Sequence, residues 1–280
     1  MPATLTSTQV DSYARDGFLT PNTALTRDEA ARCRQRLEAF EAAVGGPLTA
    51  AGTDRYRART HVLLTWVHGL VSHPRILDTV EALIGPDILV YTSTWFIKEP
   101  ESAAIAAWHQ DATYFGLRPY VHVTAWLALT EATAENGCME FLPGSHHGGQ
   151  LPHKAGVVPG SVNRAGQAIV VEIDDRSAVH APLRAGEFSL HHTLLLHRSK
   201  PNQSRGRRIG LAISYVPTSV QHLGVKHKTP AMLVRGVDTF GHFALEPAPV
   251  ADLDENARAA YERSYEGYRA SYAEQVSREG

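Results

Sequence analysis

Gly186-Glu-Phe-Ser-Leu-His-His-Thr-Leu-Leu-Leu-His197, followed after nine residues by Arg207-Arg-Ile-Gly-Leu-Ala-Ile-Ser-Tyr-Val216, decides the fold. Both segments are apolar and rich in β-formers, and the loop between them is polar, so a strand, a turn and a second strand follow one another without a helix. Ile88 to Pro100, Val121 to Thr130, Cys138 to Leu142, Gln167 to Ile173 and Ala231 to Val237 have the same character, with Pro-Gly, Asn-Gly and Ala-Gly pairs between them. Successive strands without crossover helices argue against a parallel α/β sheet and for a barrel or jelly roll.

The flanks are helical. Thr26 and Glu29 form a capping box ahead of Ala30, Cys33, Leu37, Phe40 and Ala43, and Ser72 is placed to cap a helix carrying Ile76, Leu77, Val80, Leu83 and Ile84 until Gly85-Pro86 stops it. From Asp252 the chain is helical again, with Tyr261, Tyr265, Tyr268 and Tyr272 on one face, expected to pack on the barrel or on a second subunit. The organisation expected is one domain: a helical part over about 1–86, a β core over about 87–237 and a terminal helix over about 252–278.

The 280 residues are 43% hydrophobic and 20% charged with a formal charge of −2, which gives no electrostatic reason to expect nucleic acid or an anionic membrane and makes a small molecule the default partner. Cys33 and Cys138 fall in unrelated segments and are expected as free buried thiols in a reducing cytosol. The N-terminal stretch lacks a signal-peptide pattern and no apolar run is long enough to span a bilayer, so the expectation is a cytoplasmic monomer or homodimer.

Chemistry enters at Trp108-His109-Gln110-Asp111. In an extended segment residues two apart share a face, so His109 and Asp111 can converge on one ion. A third ligand must come from a distant strand, and His197, at the end of its apolar run and before a polar loop, is the best placed; His191 shares its parity and is the alternative. Arg208 opens the next strand and can present a planar fork to a dicarboxylate, with Ser199 adding a hydroxyl. Two histidines and a carboxylate form the facial triad of non-haem iron(II), which leaves positions open for a chelating cosubstrate and dioxygen.

The order and spacing of Phe96-Ile-Lys-Glu-Pro100, Trp108-His-Gln-Asp111, Trp126, Glu135-Asn-Gly-Cys138, Leu142-Pro-Gly-Ser-His146 and His197-x-Ser199 through Arg208 resemble the phytanoyl-CoA dioxygenase family. The resemblance runs from about Gln9 to Pro247. It implies a mainly β fold with flanking helices, the double-stranded β-helix, a cupin-like jelly roll. It further implies His109, Asp111 and His197 as iron(II) ligands, and Arg208 with Ser199 on the distal carboxylate of 2-oxoglutarate. Trp126 would be a wall of that pocket, Thr94 and Gln110 further cosubstrate contacts, and one of Arg57, Arg59 and His61 an upstream basic contact. The reaction implied uses dioxygen, decarboxylates 2-oxoglutarate to succinate and oxidises an unactivated carbon, with hydroxylation as the default. Asp111 stands where similar halogenases carry a small residue, which disfavours halogenation.

A cupin-like hydrolase or isomerase using zinc or manganese on the same three ligands is one competing reading, against which a dicarboxylate clamp counts. A metal-bearing or empty barrel that only binds a ligand is the other, against which an intact ligand set with an intact clamp counts. Tyr114, Phe115, Lys98, His192 and Arg235 are the candidates to meet the substrate, expected to be a free metabolite or natural-product intermediate.

Overall fold

Period-two alternation along three neighbouring strands builds the centre of the molecule. In a computed structural model that describes residues 5–154, 168–223 and 225–279, β2 (Ile88–Lys98), β5 (Val123–Ala128) and β12 (Arg208–Pro217) lie side by side and antiparallel. Their outward residues, among them Trp95, Ile97, Leu127, Leu211 and Ile213, join the main apolar core with Leu37, Val67 and Val80 from the helices. Each such aliphatic side chain withdrawn from water contributes about 1.5–3 kcal/mol. Their inward residues, Thr94, Phe96, Thr124, Trp126, Ala212 and Ser214, are smaller or polar except for the two aromatics, and line a cavity.

These strands belong to a seven-stranded sheet completed by β1 (Phe18–Thr23), β10 (Glu187–His192), β14 (Pro230–Arg235) and β15 (Ala244–Leu245), in the order β1-β10-β5-β12-β2-β14-β15. A second sheet has the order β3-β11-β6-β9, made of β3 (Ala106–His109), β11 (His197–Ser199), β6 (Met139–Phe141) and β9 (Val179–Ala181). Trp126, Ala128 and Ala212 of the large sheet cluster with Met139, Phe141 and Ala181 of the small one, so the two sheets face each other across a shared interior. Two short pairs complete the strands: β4 (Leu117–Arg118) with β13 (Gln221–His222), and β7 (His153–Lys154) with β8 (Ala168–Ile169). The result is the jelly roll with flanking helices that the sequence led us to expect.

Helices α1 (Ser7–Asp16), α2 (Arg27–Ala43), α3 (Thr65–Val71) and α4 (Pro74–Ile84) precede β2, the short α5 (Ala112–Phe115) lies between β3 and β4, and α6 (Glu255–Glu279) follows the last strand. Thr26 and Glu29 make the expected capping box. Ser72 does not cap α4: it ends α3, while His73 is the N-cap and Pro74 takes the first helical position, where its missing N–H costs nothing. The strand expected over Gly186 to His197 is broken. β10 ends at His192, a turn follows, and β11 begins at His197 in the other sheet. β1, next to α1, was not foreseen, because its sequence FLTPNT carries a proline and little alternation. Of the segment Gln167 to Ile173, Gln167 lies outside the described residues and only Ala168–Ile169 is strand.

Both cysteines are free, Cys138 buried and Cys33 only half-buried. No helix among the described residues is long and apolar enough to cross a membrane. On α6, Tyr261 stacks on Tyr56 and Tyr265, at ring separations of 5.5 and 5.9 Å. The helix is held down by Arg59, whose buried guanidinium bonds Ser264, the Tyr91 carbonyl and the Glu246 carboxylate.

Candidate metal centre and adjoining cavity

His109 and His197 face each other across the β3–β11 pairing, where they are register partners. Asp111 reaches the same point by a route other than strand parity: β3 stops at His109, and Asp111 sits at the N-terminal end of the short helix α5 with helical backbone angles. Its Oδ1 lies 3.9 Å from Nε2 of His109 and 3.7 Å from Nε2 of His197. One donor atom from each of the three residues falls within 4.8 Å of the others, the only such cluster among the described residues.

The environment fixes which atoms face that point. Nδ1 of His109 donates to the Ala107 carbonyl at 2.8 Å and Nδ1 of His197 to the Leu195 carbonyl at 3.0 Å, so each Nε2 carries a lone pair directed inward. Burial pushes both imidazoles below their usual range and keeps them neutral, the form that ligates a metal. On Asp111, Oδ2 accepts from the Thr124 hydroxyl at 2.7 Å and from Nε2 of His191 at 3.2 Å, which leaves Oδ1 for an ion. Burial works against the charge of Asp111, yet the His191 bond and the neighbouring imidazoles hold its carboxyl well below the usual carboxylate range. Two neutral imidazole nitrogens and one carboxylate oxygen on one side of an open space fit iron(II).

Sequence reasoning weighed His191 as a rival ligand, whereas its place is behind the carboxylate. It missed Thr124, although Thr124 lies two residues before Trp126 on the same strand and therefore shares its inward face.

A cavity of about 280 Å³ opens from this point. At its inner end Arg208 is buried, donates to the Gly137 carbonyl at 2.7 Å, and has its guanidinium carbon 5.1 Å from the centre of the Trp126 ring. Its Nε has no acceptor, and no carboxylate pairs with it among the described residues. Burial pushes its pKa down to about 10, so it remains a cation at neutral pH. A buried cation with an orphaned donor beside a metal site calls for an anionic ligand. Arg207, of opposite parity, points away and pairs with Glu41 and Glu99.

Ser199 lines the same end; its oxygen accepts from Lys98 Nζ at 2.8 Å, which leaves its own proton to donate. Trp126 and Thr94 also line it. Gly210, two residues past Arg208, makes room for Trp126: a Cβ there would overlap the indole.

Of the three upstream basic residues, only Arg57 lines the cavity, from a 3₁₀ turn at Asp54–Arg57. Arg59 turns to α6, and His61 bonds Ser93 at 2.8 Å in the interior.

Four further expectations are corrected. Gln110 does not reach the cavity: its amide donates to the Gly149 and Leu194 carbonyls and accepts from Leu151, bracing the loop backbone. Lys98 is buried beneath Ser199 instead of standing at the mouth, its amine pushed down to about 6 by burial and then by Arg208. His192 packs on His146 with ring centres 5.1 Å apart. Arg235 pairs with Asp78 and Glu81 on the outer surface. Tyr114 and Phe115 do line the cavity, and so do Tyr268 and Tyr272 of α6, which sequence reading assigned to packing alone.

The model of the phytanoyl-CoA dioxygenase (PhyH) family matches residues 13–210. The peroxisomal phytanoyl-CoA dioxygenase of Homo sapiens is 30% identical over 173 residues, 60% of this chain and 51% of that protein. The chain thus spans about half the length of the curated relatives it matches. Among solved structures, it is similar to the non-heme monooxygenase ThoJ in its apo form, at 36% identity and a TM-score of 0.84 over 96% of this chain and 99% of that one. It is also similar to the non-heme alpha ketoglutarate dependent carbocyclase SnoK from nogalamycin biosynthesis, at 26% identity and a TM-score of 0.63 over 79% of this chain and 89% of that one. Since the family match takes in well over half the sequence and contains all three residues of the metal cluster together with Arg208, this chain belongs to the phytanoyl-CoA dioxygenase family.

Proposed function

We propose that the chain is an iron(II)- and 2-oxoglutarate-dependent dioxygenase that hydroxylates an unactivated C–H bond of a small metabolite or natural-product intermediate, with one 2-oxoglutarate going to succinate and carbon dioxide. Iron(II), 2-oxoglutarate and dioxygen supply the oxidising power when bound. The protein's part is to hold and orient. His109, Asp111 and His197 offer one face of ligands, with Thr124 and His191 fixing the carboxylate. Arg208 and Ser199 grip the far carboxylate of the cosubstrate, and Trp126 closes that end against water. Arg57 is the basic group placed to meet the cosubstrate from the upstream side.

The observation that carries this reading is the co-location of a buried, acid-free guanidinium with a two-histidine, one-carboxylate cluster in one cavity. A hydrolase or isomerase on the same ligands has no use for such a clamp. The carboxylate of Asp111 also occupies the ligand position that halide transfer would need vacant.

Anaerobic addition of iron(II) and 2-oxoglutarate to the metal-free protein tests the reading. A weak visible charge-transfer band is expected in the wild type and its loss in Arg208→Ala. Zinc-supported turnover without oxygen would replace this function by hydrolysis.

A further inference from the structure

The family match ends at residue 210, yet the cavity has a wall made by α6, which starts at Glu255. Tyr268 and Tyr272 project from that helix, one turn apart, and Tyr114 and Phe115 project from α5, which packs against α6. The Tyr114 ring stands edge-on to the imidazole of His109, with centres 5.9 Å apart and planes at 78°. The aromatic wall therefore begins at the metal ligands.

One ring of each wall, Phe115 on α5 and Tyr268 on α6, is fixed from behind. Tyr91, on β2, packs edge-on against Phe115 at 5.1 Å and against Tyr268 at 5.9 Å, so one buried residue buttresses both sides. The guanidinium of Arg59 lies 5.4 Å from the centre of the Tyr268 ring, and the same guanidinium ties α6 to the β core through Ser264 and Glu246. Rigid rings of this kind offer broad contact area and lose little conformational entropy on binding.

We propose that α6 is the specificity element of the site, and that Tyr268 and Tyr272 with Tyr114 and Phe115 form a slot for a planar aromatic ring of the prime substrate, presented next to His109. This deepens the oxygenase reading, on which it rests for the word substrate; the slot itself is a binding site with or without metal. Specificity is thereby set by a segment outside the part of the chain that carries the family pattern.

Binding of p-cresol to the metal-free full-length protein, followed by saturation-transfer NMR, tests the slot without any turnover. p-Cresol is expected to bind about fivefold to tenfold more tightly than methylcyclohexanol, the margin that aromatic pairing supplies, and methyl glucoside not at all. Tyr272→Ala should abolish the preference for p-cresol, and Tyr272→Phe, which keeps the ring, should restore it. Tyr265→Ala, on the same helix but stacked on Tyr261 away from the cavity, should leave it unchanged. Equal binding of methylcyclohexanol, or Tyr272→Ala indistinguishable from wild type, overturns the proposal. Tyr268→Leu provides a second variant should Tyr272→Ala fail to fold. p-Cresol binding without the iron and 2-oxoglutarate band would remove the oxygenase reading and keep the slot; the band without any preference for p-cresol would do the reverse.

Discussion

The hydroxyl of Thr124 lies 2.7 Å from Oδ2 of Asp111 and so ties a strand of the large sheet to a metal-facing carboxylate that belongs to neither sheet. Thr124→Val keeps the shape and removes the donor, leaving His191 as the sole brace. Ferrous-ion affinity, measured by competition with a chelator, should fall by about tenfold, the low end for a partner behind a ligand. Thr124→Ser should retain the wild-type affinity. Adding His191→Phe to Thr124→Val should weaken binding beyond the single change, since both bonds hold one oxygen.

Arg208→Lys tests the fork. A lysine carries the same charge but cannot make two parallel bonds to a carboxylate. The affinity for 2-oxoglutarate, read from the visible band under anaerobic titration, should fall by about tenfold to a hundredfold, whereas Ser199→Ala should cost only the ~0.5–1.5 kcal/mol of one neutral hydrogen bond. An Arg208→Lys variant that titrates like wild type would remove this residue from the cosubstrate site.

Gly210→Ala would drive a methyl group into the Trp126 indole. A destabilisation of about 1–3 kcal/mol is expected from such overpacking, seen as a lower melting temperature together with weaker 2-oxoglutarate binding. Gly206→Ala, where nothing lies within 4 Å, should leave both properties unchanged.

Lys98 gives stability a pH dependence. Its pKa falls from 10.5 to about 6 on folding, through burial first and then Arg208. Between those values the unfolded chain binds the extra proton, so stability rises with pH and is lost progressively as pH drops toward 6. Urea unfolding of the metal-free protein between pH 7 and 9 should show Lys98→Met with a slope lower than wild type by about 1 kcal/mol per pH unit. Parallel slopes in the two proteins would refute a neutral buried amine.

Glu246→Ala strips a buried counter-ion from Arg59. Removing one partner of a buried pair costs about 3–5 kcal/mol. Because Arg59 also bonds Ser264, the loss should appear first as faster amide exchange along α6, before global unfolding.

Much of this was readable from residue order. The strand-rich middle follows from runs of β-formers between turn pairs, the capping box at Thr26 from hydrogen-bonding capacity, and the grouping of His109, Asp111 and His197 from ligand chemistry. What failed was whatever depended on where the chain turns. His197 looked like the end of the Gly186 strand, yet the break after His192 moves it into the opposite sheet. His109 and Asp111 converge through the start of α5, so the parity argument reached the right pair by the wrong route. Reading Lys98, His192 and Arg235 into the cavity mouth, and carrying Gln110 over from the family resemblance, fails because a long side chain near a cavity is also free to lie beneath it or to point away. Of the α6 tyrosines, Tyr261 and Tyr265 pack as expected, whereas the tertiary placement that brings Tyr268 and Tyr272 over the cavity has no local signature.

The break between His192 and His197 has one more effect. His191 before it braces Asp111 from one sheet, while His197 after it contributes a ligand atom from the other. The ligands His109, Asp111 and His197 thus sit on or beside the small sheet while Thr124 and His191 of the large sheet fix the carboxylate, so the oriented site exists only once both halves of the jelly roll have closed on each other. Tight iron uptake during refolding is consequently a clock for the closure of the two layers.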